Sequence, residues 1–86
     1  MEQIDLQQAH KHSSNNKEEI LKSKVCGCFY CREMFDPKEI KNWIKDEKGT
    51  AQCPYCFIDS VIGDASGIPI TRAFLEEMHK EWFGKD

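Results

Sequence analysis

Cys28-Phe29-Tyr30-Cys31 and Cys53-Pro54-Tyr55-Cys56 are the two stretches that decide the fold of this chain. Each is a pair of cysteines separated by two residues, a spacing that lets the backbone turn tightly and point both sulfurs inward. Two such pairs in one chain are typical of a structural zinc site, in which four thiolates hold one tetrahedral ion. The sequence therefore predicts one Zn²⁺ per chain, bound by Cys28, Cys31, Cys53 and Cys56.

Three other uses of these cysteines stay open. Iron is the second choice of metal, because a tetrahedral site of four sulfurs suits both ions. Disulfides favour an oxidising compartment, but residues 1–21 contain no apolar core of a secretory signal. A redox pair is expected within a βαβ unit, for which 86 residues leave too little room. We therefore expect a metal site and a cytoplasmic location.

Cys26 is the fifth cysteine, and it forms a pair with Cys28 across a single residue. Such a pair clamps a metal less often than the two-residue spacing does. The simplest role for Cys26 is that of a small buried apolar residue beside the site. The alternatives are a reactive thiol, or a ligand that exchanges with one of the four.

Length and charge restrict the classes of function. At 86 residues the chain is one small domain, and a bound metal commonly compensates for a core of that size. The formal net charge is −3, and a zinc ion with four thiolates adds two further negative charges. This negative net charge opposes strong non-specific binding to nucleic acid, which depends on positive charge. No apolar run approaches the length that crosses a membrane.

Capping residues predict a helix near each end of the chain. Asn15 and Asn16 each stand three positions before a glutamate, which is a variant of the capping box, and a short helix over 17–24 follows. Thr71 caps a longer helix over 72–83, whose apolar residues form one stripe. The stripe either packs on the metal core or docks a partner.

A third helix is predicted between the cysteine pairs. Asp36 is its cap, Pro37 takes its first position and Glu39 completes the capping box. Apolar residues at 40, 43 and 44 share one helical face and extend the helix to about residue 46. The same helix would align four lysines along one face: Lys38, Lys41, Lys45 and Lys48. Acidic residues alternate with these lysines, which favours a solvated face over a binding site.

Short strands are predicted beside the cysteine pairs, at 34–35 and 50–52. Residues 57–62 fit either a helix or a strand, because a short apolar run does not distinguish the two. A helix there would set the second cysteine pair at its N-terminus. The polar residues around this run are expected to cap and turn the chain: Asp59, Ser60, Asp64 and Ser66.

The chain divides into two parts in this interpretation. Residues 1–16 are a flexible N-terminal tail, because they carry few apolar anchors. Residues 17–84 form a single zinc-binding domain. His10 and His12 of the tail are expected to be solvated, since four cysteines already complete a ligand set.

Over residues 28–31 and 53–56 the chain resembles the broad zinc-ribbon and treble-clef class. The resemblance implies a small α+β zinc-binding domain with two Cys-x-x-Cys knuckles, a short β-hairpin and two to three helices. A treble clef would also start a helix at the second pair. The second pair resembles half of a rubredoxin site, a family with glycine after each pair. This chain has Arg32 and Phe57 at those positions, which lack the freedom of glycine at positive φ.

A wider resemblance is to a group of small uncharacterised bacterial cytoplasmic proteins. The segments that carry it are residues 26–31, 53–63, 74–75 and 82–83. It spans most of the chain and implies no activity.

These observations favour a structural zinc-binding domain that interacts with another protein. The acidic balance and the aromatic last helix make protein a better partner than nucleic acid. The alternatives are a nucleic-acid-binding zinc domain that uses the lysines, and a redox- or zinc-responsive sensor that uses Cys26. We expect no enzyme, because four cysteines leave no open coordination position and only His79 follows the first pair.

Overall fold

The computed structural model describes residues 5–84. Within this range it contains three α-helices and five short strands. The helices are α1 (Leu6–His10), α2 (Lys17–Leu21) and α3 (Arg72–Phe83). The strands are β1 (Cys26–Cys28), β2 (Met34–Phe35), β3 (Trp43–Ile44), β4 (Thr50–Ala51) and β5 (Val61–Gly63). The architecture is thus a small α+β fold, as predicted.

The sheet that carries the first cysteine pair has three antiparallel strands in the order β2-β1-β5. Cys26 lies opposite Phe35 on one side and Gly63 on the other. The first cysteine pair forms the turn between β1 and β2. A separate hairpin joins β3 and β4, with Trp43 opposite Ala51. The predicted strands at 34–35 and 50–52 are therefore confirmed, and residues 61–63 form a strand.

Two apolar clusters lie on opposite sides of the three-stranded sheet. Successive residues of a strand face opposite ways, so Val61 enters one cluster and Ile62 the other. The first cluster surrounds the cysteines with five other buried residues: Ile20, Phe35, Ile40, Ala51 and Val61. The second packs α1 and α3 onto the sheet through Ala9, Phe29, Ile62, Ile70, Phe74, Leu75 and Met78.

Gly27 lets α3 approach the sheet closely. A Cβ atom at this position would lie 2.8 Å from both Ile70 Cγ2 and Leu75 Cδ1. Only glycine leaves room for that contact. The predicted cap of helix α3 is confirmed, because Thr71 Oγ1 accepts a hydrogen bond from the Phe74 N–H at 3.1 Å.

The helix predicted over 37–46 is wrong beyond its first turn. The capping box between Asp36 and Glu39 is present, but it caps only a 3-10 helix, Pro37–Glu39. Trp43 and Ile44 instead pair with β4. An isolated helix of this length is only marginally stable. Trp43 is aromatic and Ile44 is β-branched, so both suit a strand, and their pairing with β4 outweighs the helix propensity of the segment. The predicted lysine face is wrong for the same reason, and Lys41, Lys45 and Lys48 surround the β3–β4 hairpin.

The N-terminal residues differ from the predicted tail. The Asp5 side chain accepts hydrogen bonds from the first turn of α1, and Ala9 of this helix is fully buried against α3. A 3-10 helix, Lys11–Ser13, continues the chain to Asn16, which is also buried. Residues 5–16 are thus ordered by contacts with distant elements. Residues 1–4 lie outside the described range, and the division at residue 16 stays a prediction.

The side chain of Asn16 does not cap α2 as predicted. Its Nδ2 donates to the carbonyl oxygens of His12 and Val61, each at 2.8 Å. Its Oδ1 accepts from the Ala51 N–H at 3.1 Å. Asn16 therefore ties the N-terminal segment to β4 and β5. Helix α2 ends at Leu21, which is earlier than predicted.

The segment after the second cysteine pair was predicted to be either a helix or a strand. A treble clef would begin a helix there, whereas this chain continues through a turn into β5. A 3-10 helix, Asp64–Ser66, comes after β5, and the next α-helix of the described residues is α3, which begins at Arg72. No helix among the described residues is long and apolar enough to cross a membrane.

Candidate metal centre

The four cysteines of the two pairs meet at one point. The sulfur atoms of Cys28, Cys31, Cys53 and Cys56 all lie within 4.8 Å of one another. The Cys28–Cys56 and Cys31–Cys53 sulfur distances are both 3.6 Å. A tetrahedral site with the usual zinc–sulfur bond length has sulfur–sulfur edges of about 3.8 Å. All five thiols of the chain are free. The arrangement therefore suits a metal ion.

Both cysteine pairs form the same hydrogen-bonded turn. In the first, the Cys28 N–H donates to Glu33 O at 3.0 Å and the Arg32 N–H donates to Cys28 O at 2.7 Å. In the second, the Cys53 N–H donates to Ile58 O at 2.9 Å and the Phe57 N–H donates to Cys53 O at 3.0 Å. We call these turns the first and second knuckle. Their shared pattern fixes the direction of both sulfurs in each pair.

The residue after each pair has a left-handed backbone. φ is +65° at Arg32 and +66° at Phe57. These are the positions at which the rubredoxin family has glycine. Both knuckles therefore form here with a non-glycine residue at this position, for which a left-handed backbone is unfavourable. Strain of this kind is tolerated where the surrounding structure determines the conformation.

The strain predicts an unusual order of stability at residue 57. Glycine is ordinarily less stable than alanine within regular structure, by about 0.5–1 kcal/mol. At φ near +66° the order should reverse, so that Phe57→Gly is more stable than Phe57→Ala by about 1 kcal/mol. Urea unfolding of the two zinc-loaded variants measures this difference. Alanine as stable as glycine, or more so, would show that the left-handed conformation of Phe57 is wrong.

The four thiols differ in their surroundings. Cys28 and Cys53 are fully buried, whereas Cys31 and Cys56 are half-buried. Burial raises the pKa of Cys31 to about 11 and raises that of Cys56 further. Burial also raises the pKa of Cys53, but hydrogen bonds from backbone N–H groups and neighbouring thiols outweigh it and lower the pKa overall. One of these is the Tyr55 N–H, 3.3 Å from the Cys53 sulfur. A bound metal must therefore displace protons from Cys31 and Cys56.

Cys26 lies apart from this group. It is fully buried in the middle strand of the sheet, within the first apolar cluster. Burial, with the nearby charges of Asp64 and Asp36, raises the pKa of its thiol to about 12. A thiol of this kind is protonated and inert at neutral pH. The structure thus favours the buried apolar role over the reactive one.

Ser60 lies next to the site. The sequence groups it with the other polar residues of the turn and predicts no separate role for it. It is buried, and its Oγ lies 3.6 Å from the Cys28 sulfur, at hydrogen-bonding distance for sulfur. Ser66 has the turn-forming role that was predicted, since its Oγ donates to Gly63 O, whereas the Asp64 carboxylate accepts from the distant Lys24 N–H. Only the fold brings Ser60 to Cys28, because β5 pairs with β1.

The histidines have partners elsewhere. The Nδ1 atom of His12 is 2.9 Å from a Glu19 carboxylate oxygen. The ring of His10 stacks on Trp82, with centroids 4.0 Å apart. His79 is buried, with its Nδ1 3.1 Å from Phe29 O. Among the described residues, then, the group of candidate ligands consists of cysteines alone.

Comparison of the chain with protein-family models, with curated proteins and with solved structures finds no match. The resemblances to zinc ribbons, treble clefs and small bacterial proteins are therefore unconfirmed. The four-cysteine geometry carries the functional interpretation by itself.

Proposed function

We propose that this chain is a structural zinc domain that presents a surface to another protein. The observation that supports the metal is the group of four sulfurs within 4.8 Å, held by two matched knuckles. Zinc bound by four thiolates supplies a cross-link between distant parts of a chain. Here it would join the β1–β2 turn to the segment before β5. Zinc is favoured over iron because it is the common ion of closed four-cysteine sites.

The exposed apolar residues support a protein partner. Six large apolar side chains are exposed within the described residues: Leu21, Tyr30, Met34, Tyr55, Phe57 and Phe83. Aromatic residues and methionine are enriched at protein interfaces. The chain is acidic, and zinc with four thiolates makes it more so. Nucleic acid is the weaker alternative, because the hairpin lysines alternate with Asp46 and Glu47 rather than forming a continuous stripe.

A structural role is proposed over catalysis and over sensing. Four cysteine ligands fill a tetrahedral sphere and leave no position for a water or a substrate. A sensor that uses Cys26 would need a thiol that ionises readily, and that thiol is buried with a pKa of about 12. A metal site of cysteines that are not joined by disulfides also favours a reducing compartment, for which we propose the cytoplasm.

Cobalt substitution tests whether the coordination sphere is closed. Co²⁺ in four thiolates gives strong charge-transfer absorption and tetrahedral ligand-field bands. We expect such a spectrum for the cobalt-loaded chain, with no change when azide is added, because no ligand position is open. Cys26→Ser is the matched control and should give the same spectrum. Azide-dependent bands, or a spectrum of an octahedral ion, would contradict a closed structural site.

A further inference from the structure

The sulfur of Cys28 has a side-chain hydroxyl beside it. Ser60 Oγ lies 3.6 Å from Cys28 Sγ, within hydrogen-bonding distance for sulfur. Ser60 is 3% exposed and Cys28 is fully buried, so water hardly competes for this contact. A hydrogen bond to a charged group is strong in such surroundings, because the local dielectric constant is low. The contact therefore has the properties that a donor to a metal-bound thiolate needs.

Strand pairing holds Ser60 in place beside the first knuckle. Ser60 directly precedes β5, whose first residue, Val61, lies opposite Cys28 of β1. The Phe29 N–H also donates to Ser60 O at 3.0 Å. The hydroxyl thus approaches the sulfur from a backbone that the sheet has already fixed. A donor positioned in this way by other elements loses little further freedom when the metal binds.

Metal ligation determines which atom donates in this contact. In the free chain either the Ser60 hydroxyl or the Cys28 thiol can be the donor, and Cys28 Sγ also lies 3.6 Å from Cys56 Sγ. A metal is bound by thiolates, which accept hydrogen bonds and have no proton to donate. Of these two neighbours of Cys28 Sγ, only the Ser60 hydroxyl can then donate to it.

Backbone N–H groups serve the other three sulfurs. In each case the donor stands two residues after the cysteine: Tyr55 after Cys53, Glu33 after Cys31 and Ile58 after Cys56. Four thiolates carry more negative charge than one divalent ion neutralises, and hydrogen bonds to the sulfurs offset part of the remainder. Ser60 supplies such a donor to Cys28, from a different element of the fold.

We propose that Ser60 is a positioning residue of the metal site, whose hydroxyl donates to the Cys28 thiolate and strengthens the binding of zinc. The inference rests on the proposed zinc site, because Ser60 acts on the metal only through Cys28. Loss of a donor that orients a ligand typically lowers metal affinity about 10- to 100-fold. A serine that only turned the chain before β5 would affect folding stability and would leave the electronic state of the sulfur unchanged.

Cobalt spectra of Ser60→Ala distinguish these two roles, because the sulfur-to-cobalt charge-transfer bands report on the thiolates themselves. The substitution removes the hydroxyl with little change in size. We expect the cobalt-loaded variant to keep the tetrahedral ligand-field bands. Its charge-transfer bands should lie at longer wavelength than those of the parent, since a thiolate without its donor releases electron density more easily. Zinc affinity, measured by competition with a chromophoric chelator, should fall at least about tenfold.

Ser13→Ala is the matched control. Ser13 is also buried, and its Oγ donates to His10 O at 2.7 Å, so the control removes a buried hydroxyl that makes a hydrogen bond elsewhere. It should leave the charge-transfer bands where the parent has them, even if weaker folding lowers the apparent affinity. Ser60→Thr keeps the hydroxyl and should give the bands of the parent. This variant decides the question if Ser60→Ala fails to load metal.

The spectra separate failure of this inference from failure of the zinc site. Cobalt-loaded Ser60→Ala with the charge-transfer bands of the parent would overturn the role of Ser60 and leave the zinc site intact. An equal shift in Ser13→Ala would do the same, as would shifted bands in Ser60→Thr when Ser60→Ala loads no metal. A parent chain that binds neither zinc nor cobalt would overturn both proposals.

Discussion

Removing the metal is expected to unfold this chain, at a cost of about 10 kcal/mol or more. The first apolar cluster is built around the sulfurs, and Cys28 and Cys53 are fully buried within it. The β1–β2 turn and the segment before β5 therefore share their core with the metal ligands. A small domain has a net stability of only about 5–15 kcal/mol, so a loss of this size removes the folded state.

Circular dichroism measures this effect directly. The zinc-loaded chain should show one cooperative thermal transition, which a chelator in excess abolishes and added zinc restores. Cys53→Ser should lack the transition even in zinc, whereas Cys26→Ser should keep a zinc-dependent transition, because Cys26 is not among the four candidate ligands. That transition should lie at a lower temperature than in the parent, since a hydroxyl replaces a fully buried thiol in the first apolar cluster. A chelated chain that still melts cooperatively near the same temperature would show that the apolar clusters fold without metal.

The second large effect is expected at Asn16. Its side chain makes three hydrogen bonds to backbone groups of three different segments, and the residue is 3% exposed. Asn16→Ala would leave the Val61 carbonyl and the Ala51 N–H buried without partners. Each such group costs about 1–3 kcal/mol, so the variant should lose roughly 3–5 kcal/mol.

Denaturant unfolding in the presence of zinc tests the role of Asn16. Asn16→Asp keeps the shape of the side chain but sets an oxygen against the carbonyls of His12 and Val61, so we expect a loss at least as large. The control is Asn42→Ala, which changes an exposed asparagine and should alter the free energy of unfolding by less than about 0.5 kcal/mol. A loss below about 1 kcal/mol in Asn16→Ala would mean that these hydrogen bonds are absent in solution.

Features encoded locally could be predicted from the sequence. The two cysteine pairs are each a short turn, and their convergence follows from the ligand number of one ion. The capping box at Asp36 and the cap at Thr71 involve neighbours within three residues, and both are present. Helix α3 has a long apolar stripe and buries it on the second cluster. Apart from the convergence of the two cysteine pairs, each of these features is decided within a single element.

Features that depend on distant partners could not be predicted. Trp43 and Ile44 have helical spacing with Ile40, but pairing with β4 makes them a strand. Residues 5–16 look like a tail because few are apolar, yet Ala9 and Asn16 find their contacts in α3, β4 and β5. Phe57 lacks the glycine signal of a left-handed residue, and only the closed knuckle forces that conformation.

Native mass spectrometry with elemental analysis tests the central claim most directly. The parent chain and Cys26→Ser should each carry one zinc ion, and Cys53→Ser should carry none under the same conditions. That result would identify Cys28, Cys31, Cys53 and Cys56 as the ligands. A folded parent chain without metal, or a metal lost in Cys26→Ser and kept in Cys53→Ser, would contradict the zinc site on which this account depends.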